Sequence, residues 1–121
     1  VLKLLRRNKP GISEAVTYAT RLIQQKPGII SLSSVQKEVY MTERTLQRLF
    51  EGHVGVSPKQ YSRICQFNAA LQQLTRQQFT GMTDAAFDNG YADQSHLIRA
   101  FREFTHYSPL EYLKAAMEFP G

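Results

Sequence analysis

Apolar residues in this chain recur at spacings of three and four, the period of amphipathic helices, and the chain reads as helical almost throughout. A first helix is predicted from Ser13, a residue able to cap it, to Lys26, where Pro27-Gly28 stops it; Val16, Ala19, Leu22 and Ile23 share one face. A short helix is expected near Ser33 to Val39. Thr42 then offers a side-chain oxygen to cap a helix whose Leu46, Leu49 and Phe50 form a buried stripe, with Arg44, Gln47 and Arg48 opposite. Ser57-Pro58-Lys59-Gln60 combines a capping box with proline at the first helical position, and the helix it starts should reach about Arg76. Tyr61, Ile64, Cys65, Phe67, Ala70, Leu71 and Leu74 give that helix a broad apolar face, wide enough to serve the helices before and after it. Beyond it the pattern predicts a short helix near Thr83 to Asn89, then a helix capped by Asp93 with Leu97, Phe101 and Phe104 inward. Ser108-Pro109-Leu110-Glu111 is a second capping box and starts the last helix.

The pattern is written twice. The stretch from Tyr40 to Tyr61 recurs fifty-one residues later, from Tyr91 to Tyr112. Thr42 is matched by Asp93, Leu46 by Leu97, Arg48 by Arg99, Phe50 by Phe101, Ser57-Pro58 by Ser108-Pro109 and Gln60 by Glu111. One compact helical unit used twice suits the reading of two successive stretches of a long polymer, with DNA as the obvious candidate. The long helix between the copies would span roughly 28 Å at about 1.5 Å per residue, close to the roughly 34 Å between successive major-groove faces of B-DNA.

Charge and composition alter this picture only modestly. The 121 residues suffice for one core, or for two small cores sharing a helix. The formal net charge of +5 favours an anionic partner, but Lys3, Arg6, Arg7 and Lys9 supply four of those charges, and from Gly11 onward eleven basic residues face ten acidic ones. The placement of the arginines therefore matters more than the total. Residues 1–11 read as a linker from something longer or as an N-terminal arm. The single Cys65 allows no intrachain disulfide, and with no signal peptide or long apolar run the expected setting is cytoplasmic, without a membrane.

A short helix, a tight connection and a second helix with an exposed basic and amide face form the helix-turn-helix pattern, whose second helix enters the major groove. The residues that fill it here are Leu46-Gln47-Arg48-Leu49-Phe50, Gly55-Val56-Ser57-Pro58-Lys59-Gln60-Tyr61, Gly90-Tyr91-Ala92-Asp93-Gln94-Ser95-His96-Leu97, and Phe101 through Ser108-Pro109-Leu110-Glu111-Tyr112. Together they resemble the AraC/XylS family of bacterial transcription regulators, over residues 13 to 113. The resemblance implies an all-α domain of about seven helices: a first helix-turn-helix subdomain over 12–56, a linking helix over 58–76 and a second subdomain over 77–118. It implies double-stranded DNA as partner, recruitment of RNA polymerase, and an absent N-terminal effector or dimerisation domain. Carried over by position, its base-reading residues fall on Arg44, Gln47 and Arg48 in the first copy and on Gln94, Ser95, His96 and Arg99 in the second. Arginine can donate two bonds to guanine and glutamine can pair bidentately with adenine, which suits that role. Lys59, Arg63 and Arg102 are expected at phosphates.

The chain departs from the family pattern at four positions. Gln36 stands in place of a small residue, Ala85 in place of a larger aliphatic, His106 in place of a glycine, and Cys65 in place of an arginine. His106 is matched by Gly55 in the first copy, and a left-handed helix terminus would suit His less well. Cys65 reads as a small buried hydrophobe. With His53, His96 and His106 it makes no metal-ligand spacing, and the apolar stripes need no cofactor. No phosphate loop, carboxylate pair or nucleophile motif points to catalysis, so no enzyme activity is expected in these residues. Two other readings remain beside DNA binding: a protein-interaction module with a degenerate first motif, suggested by Gln36 and Tyr40, and a domain appended to an enzyme.

Overall fold

Local capping chemistry sets most helix starts. A computed structural model describes residues 12–76 and 81–118, and every regular element among them is an α-helix: α1 (Ile12–Gln25), α2 (Leu32–Val39), α3 (Glu43–His53), α4 (Pro58–Arg76), α5 (Met82–Asp88), α6 (Gln94–Thr105) and α7 (Pro109–Glu118). The Thr42 hydroxyl accepts the Thr45 N–H at 3.2 Å, and the Asp93 carboxylate accepts the His96 N–H at 2.8 Å. Such bonds satisfy helix N–H groups that have no partner inside the helix. The Ser57 hydroxyl accepts the Gln60 N–H at 3.1 Å, while Ser108 and Glu111 exchange two bonds of 3.2 Å each, a complete capping box. Two expectations need correction. Ser31 caps α2, which starts at Leu32, one residue ahead of the expected start, and Ser13 lies inside α1 rather than at its cap, because the helix already includes Ile12. The expected N-terminal arm, residues 1–11, lies outside the described residues.

The chain divides into two compact units between Cys65 and Gln66, so α4 gives its first residues to one unit and the remainder to the other. In the first unit Ala19, Ile23, Val35, Val39, Leu46 and Phe50 form a buried cluster, with Tyr18, Leu22, Met41, Tyr61 and Cys65 packed around it. Leu49, expected in the buried stripe, is only half-buried; it sits at the edge of the face that Leu46 and Phe50 turn inward. In the second unit Phe67, Ala70, Ala85, Ala86, Tyr91, Leu97, Ala100 and Phe101 are buried, with Leu71, Leu74, Met82, Phe104 and Tyr112 against them. Full burial of a side chain such as Phe50 or Phe101 stabilises its unit by about 1.5–3 kcal/mol.

Repeated sequence becomes repeated geometry. Phe50 meets Tyr61 edge-on with ring centroids 5.8 Å apart and planes at 64°, and Phe101 meets Tyr112 at 5.9 Å and 63°. The connection between the two helices of each motif breaks the fifty-one-residue register. Left-handed backbone occurs at Tyr40 (φ 56°) and Gly90 (φ 80°), and the next residue donates back to the short helix, Met41 to Gln36 at 3.1 Å and Tyr91 to Ala86 at 2.9 Å. These pairs stand fifty residues apart, whereas the caps Thr42 and Asp93 stand fifty-one apart. The second copy therefore carries one additional residue before its cap. The matching of Tyr40 with Tyr91 does not hold in space: Tyr40 is 61% exposed and Tyr91 6% exposed, and Met41 takes the inward position.

Gln36, a departure from the family pattern, is half-buried at the position equivalent to the buried Ala86, and Ala85 is fully buried. Asn89 closes the second unit's short helix: its amide donates to the Ala85 carbonyl and to Gln73, both at 2.8 Å, while its own carbonyl accepts from Gln66 at 2.9 Å.

His106 occupies the left-handed region (φ 66°), where Gly55 stands in the first unit (φ 95°). The Cβ of a non-glycine residue costs about 1–2 kcal/mol in that region, and the His106 side chain is exposed. His106→Gly should raise the stability of the second unit by ~1 kcal/mol in denaturant unfolding, offset in part by glycine's greater unfolded-state entropy. The capping box should also respond to acid. Bonds from the Ser108 hydroxyl and backbone, and then the nearby Arg102 charge, hold the Glu111 carboxyl below its ordinary value of 4.5. Its contribution is present above that value and is lost as pH falls through the lowered one. The melting temperature should therefore drop more steeply below pH 4.5 in the parent than in Glu111→Gln, which can still make the cap but does not titrate.

Candidate nucleic-acid interface

The burial of Leu46 and Phe50 leaves the opposite side of α3 to solvent, and Arg44, Gln47 and Arg48 all lie exposed there. Arg44 and Arg48 are one turn apart on the same side. Gln47 donates its amide to Glu51 at 3.2 Å, a contact on the open face that a base edge could replace. Glu43 and Glu51 are exposed on the same helix, so this surface mixes fork-shaped donors with carboxylate acceptors.

In the second unit the burial of Leu97, Ala100 and Phe101 likewise exposes Gln94, Ser95, His96 and Arg99. These four are not equally free. The Gln94 carbonyl accepts the Thr83 hydroxyl at 3.1 Å, which ties it to α5. His96 is turned back on the connection: its Nδ1 accepts the Ala92 N–H at 3.4 Å, and its ring stands edge-on to Tyr91 at 5.2 Å and 89°. With Nδ1 an acceptor, the neutral ring carries its proton on Nε2. Ser95 and Arg99 lie one turn apart on the exposed side, as Arg44 and Arg48 do.

The expected phosphate contacts differ in accessibility. Lys59 is exposed in the first turn of α4, beside N–H groups and the positive end of the helix dipole. Arg63 is half-buried and donates to Gln60 at 3.2 Å. Arg102 is exposed on α6 at the rim of an open hollow in the second unit. Cys65 packs against the first unit's core; burial pushes its thiol pKa up, with the Tyr61 hydroxyl pulling the other way. That is the character of a packed, unreactive thiol. Among the described residues no group of three or more His, Cys, Asp and Glu side chains could hold a metal ion, and no helix is long and apolar enough to cross a membrane.

Two residues on these faces escaped the sequence reading. The fifty-one-residue register that holds within the long helices places Glu43 opposite Gln94 and Ile98 opposite Gln47. The same register puts Leu110, 79% exposed, where the first unit has Lys59. The signal was the repeat itself, applied to every position of the exposed stripe.

This arrangement has counterparts among known proteins. Residues 35–115 match a helix-turn-helix domain family. An uncharacterized HTH-type transcriptional regulator of Staphylococcus aureus is 30% identical over 83 residues, 69% of this chain; the chain spans 11% of that relative's length. A transcriptional regulator from Chromobacterium violaceum, described as having an AraC-type DNA-binding domain, superposes with a TM-score of 0.77 at 24% identity, covering 88% of this chain and 95% of that one. The DNA-binding domain of AdpA, solved in complex with a target DNA, gives 0.71 at 21% identity over 90% and 95% of the two chains. The C-terminal domain of AraT, a response regulator from Geobacillus stearothermophilus, gives 0.77 at 21% identity over 88% of each. From the match over residues 35–115 and the paired helix-turn-helix architecture, the chain belongs to the AraC-type helix-turn-helix family of DNA-binding transcription regulators.

Proposed function

We propose that this chain is the sequence-reading part of a bacterial transcription regulator, inserting α3 and α6 into successive major grooves of one DNA duplex. The observation that carries this reading is the recurrence of one exposed stripe on two helices, each capped at its start and each bearing an arginine at the same register, Arg48 and Arg99. An arginine so placed can donate two parallel bonds to guanine O6 and N7, and Gln47 can pair with an adenine edge. Arg44 and Ser95 extend the two faces by one turn, with Gln94 and His96 at the margin of the second. Lys59, Arg63 and Arg102 supply charge for phosphates, which gives affinity without sequence information. The AdpA domain, of the same fold, was solved with a target DNA, which favours the same class of ligand here. Binding of this kind would bring RNA polymerase to a promoter, under the control of an effector or dimerisation domain N-terminal to these residues in a cytoplasmic protein. The small balance of charge beyond Gly11 fits a protein that relies on placed contacts more than on bulk attraction.

Selection of bound duplexes from a random pool at about physiological ionic strength, where nonspecific attraction fades, tests the reading. Enrichment of an asymmetric site with two short blocks about one helical turn apart is the expected outcome; absence of enrichment would overturn it in favour of a protein-interaction module. On the selected site Arg48→Ala should weaken binding by about 1–3 kcal/mol and relax one block, and Arg99→Ala the other. Uniform weakening on all sequences would reassign both arginines to phosphate. Lys59→Ala should weaken all duplexes alike and reduce the slope of log affinity against log salt by about one, measured by titration at several salt concentrations.

A further inference from the structure

The two reading faces are not chemically alike: in the shared register Arg44 is matched by Ser95 and Gln47 by Ile98. An α-helix advances by about 100° per residue. Arg44, Gln47 and Arg48 on α3 therefore occupy the same three angular positions as Ser95, Ile98 and Arg99 on α6; the arginines and Ser95 lie opposite the buried pairs Leu46 with Phe50 and Leu97 with Phe101, and Gln47 and Ile98 lie on the flank of those pairs. Where the first unit offers an amide, the second offers a branched aliphatic. Ile98 is half-buried, and it lines an open hollow of about 590 Å³ together with Leu110 and Leu113, with Gln94 and Arg102 among the polar residues that border it. The exposed part of Ile98 thus continues into apolar surface.

Resting on the DNA-reading proposal above, we infer that Ile98 makes the second unit read a thymine by its 5-methyl group. Of the groups that base pairs present in the major groove, the thymine methyl is the apolar one; the others are hydrogen-bond donors or acceptors. A donor or acceptor pressed against Ile98 loses its water and gains no partner, which costs free energy. The methyl group instead leaves water for an apolar neighbour, which is favourable. The same side chain thereby favours thymine over cytosine, which lacks the methyl group. Arg99, the next residue, can hold an adjacent guanine while Ile98 reads the thymine. The first unit, with Gln47 at this register, reads an adenine edge in the equivalent place.

The test uses the 121-residue chain and the duplex it selects from a random pool, with each thymine replaced in turn by deoxyuridine, which removes the methyl group and nothing else. One thymine, in the block whose recognition Arg99→Ala relaxes, should bind about four-fold less tightly as deoxyuridine, the effect of burying one methyl-sized group. Ile98→Ala should bring that thymine-to-deoxyuridine ratio close to one, whereas Ile98→Val should retain part of it. The ratio is taken within each variant, so a change in fold stability cancels. Equal binding of every substituted duplex, a ratio that persists in Ile98→Ala, or a second block without thymine would overturn the inference and leave DNA reading intact. Failure to select any duplex would overturn the DNA-reading proposal and this inference with it.

Discussion

The contact between the last buried aromatic of each exposed-faced helix and the tyrosine of the following helix governs the arrangement of both units. Phe50 with Tyr61 and Phe101 with Tyr112 meet edge-on at nearly the same separation and angle. Such pairs add about 0.5–1.5 kcal/mol beyond the area they bury, and they prefer particular geometries. Because each phenylalanine lies on the inward side of its helix, fixing its ring fixes the rotation of that helix about its own axis. The exposed arginines opposite are then aimed by the core. In the first unit the Tyr61 hydroxyl also accepts the Gln24 amide at 2.6 Å, which ties the same ring to α1. Aromatic packing in the interior and the direction of the exposed arginines are consequences of one constraint.

How much of this was legible in the sequence depends on the range of the interactions involved. Helix starts at Thr42, Asp93 and Ser108 were readable because a cap and its N–H partner lie three residues apart. The cores were readable from helical spacing, apart from Leu49 and from Ile64, which is exposed on α4 although expected on its apolar face, since periodicity gives a direction but not the width of the neighbour that covers it. Ser13 misled because a good capping residue is equally able to sit inside a helix whose first turn begins earlier. The inward place of Met41 and the outward place of Tyr40 were hidden, because residue similarity favoured matching two tyrosines while backbone hydrogen bonding paired Tyr40 with Gly90. Of the surface positions, Arg44, Gln47, Arg48, Gln94, Ser95, His96 and Arg99 do lie exposed. Their separate attachments, such as Gln94 to Thr83 and His96 to the connection, depend on neighbours that no pattern along one helix reveals.

The two units also show how duplicated halves diverge. Their interiors keep the same aromatic pair and the same inward leucine, Leu46 and Leu97, both almost wholly buried. Their surfaces differ: Glu43 against Gln94, Gln47 against Ile98, Lys59 against Leu110. A core substitution is resisted by close packing on every side, while a substitution on the exposed stripe changes chemistry at little structural cost. The capping boxes differ in the same sense. Glu111 completes the exchange with Ser108, whereas the Gln60 side chain accepts from Arg63.

The additional residue between Gly90 and Asp93 makes the connection a slip joint. Its length differs between the copies, yet each following helix starts afresh at its own cap, Thr42 or Asp93, so the phase of the surface stripe is reset there. An insertion within either helix would rotate everything after it by roughly a quarter turn, at 3.6 residues per turn. An insertion in the connection rotates nothing that faces outward. The one-residue difference between the two copies is absorbed at this joint, and the copies are aligned correctly only when the segments on either side of it are placed in register separately.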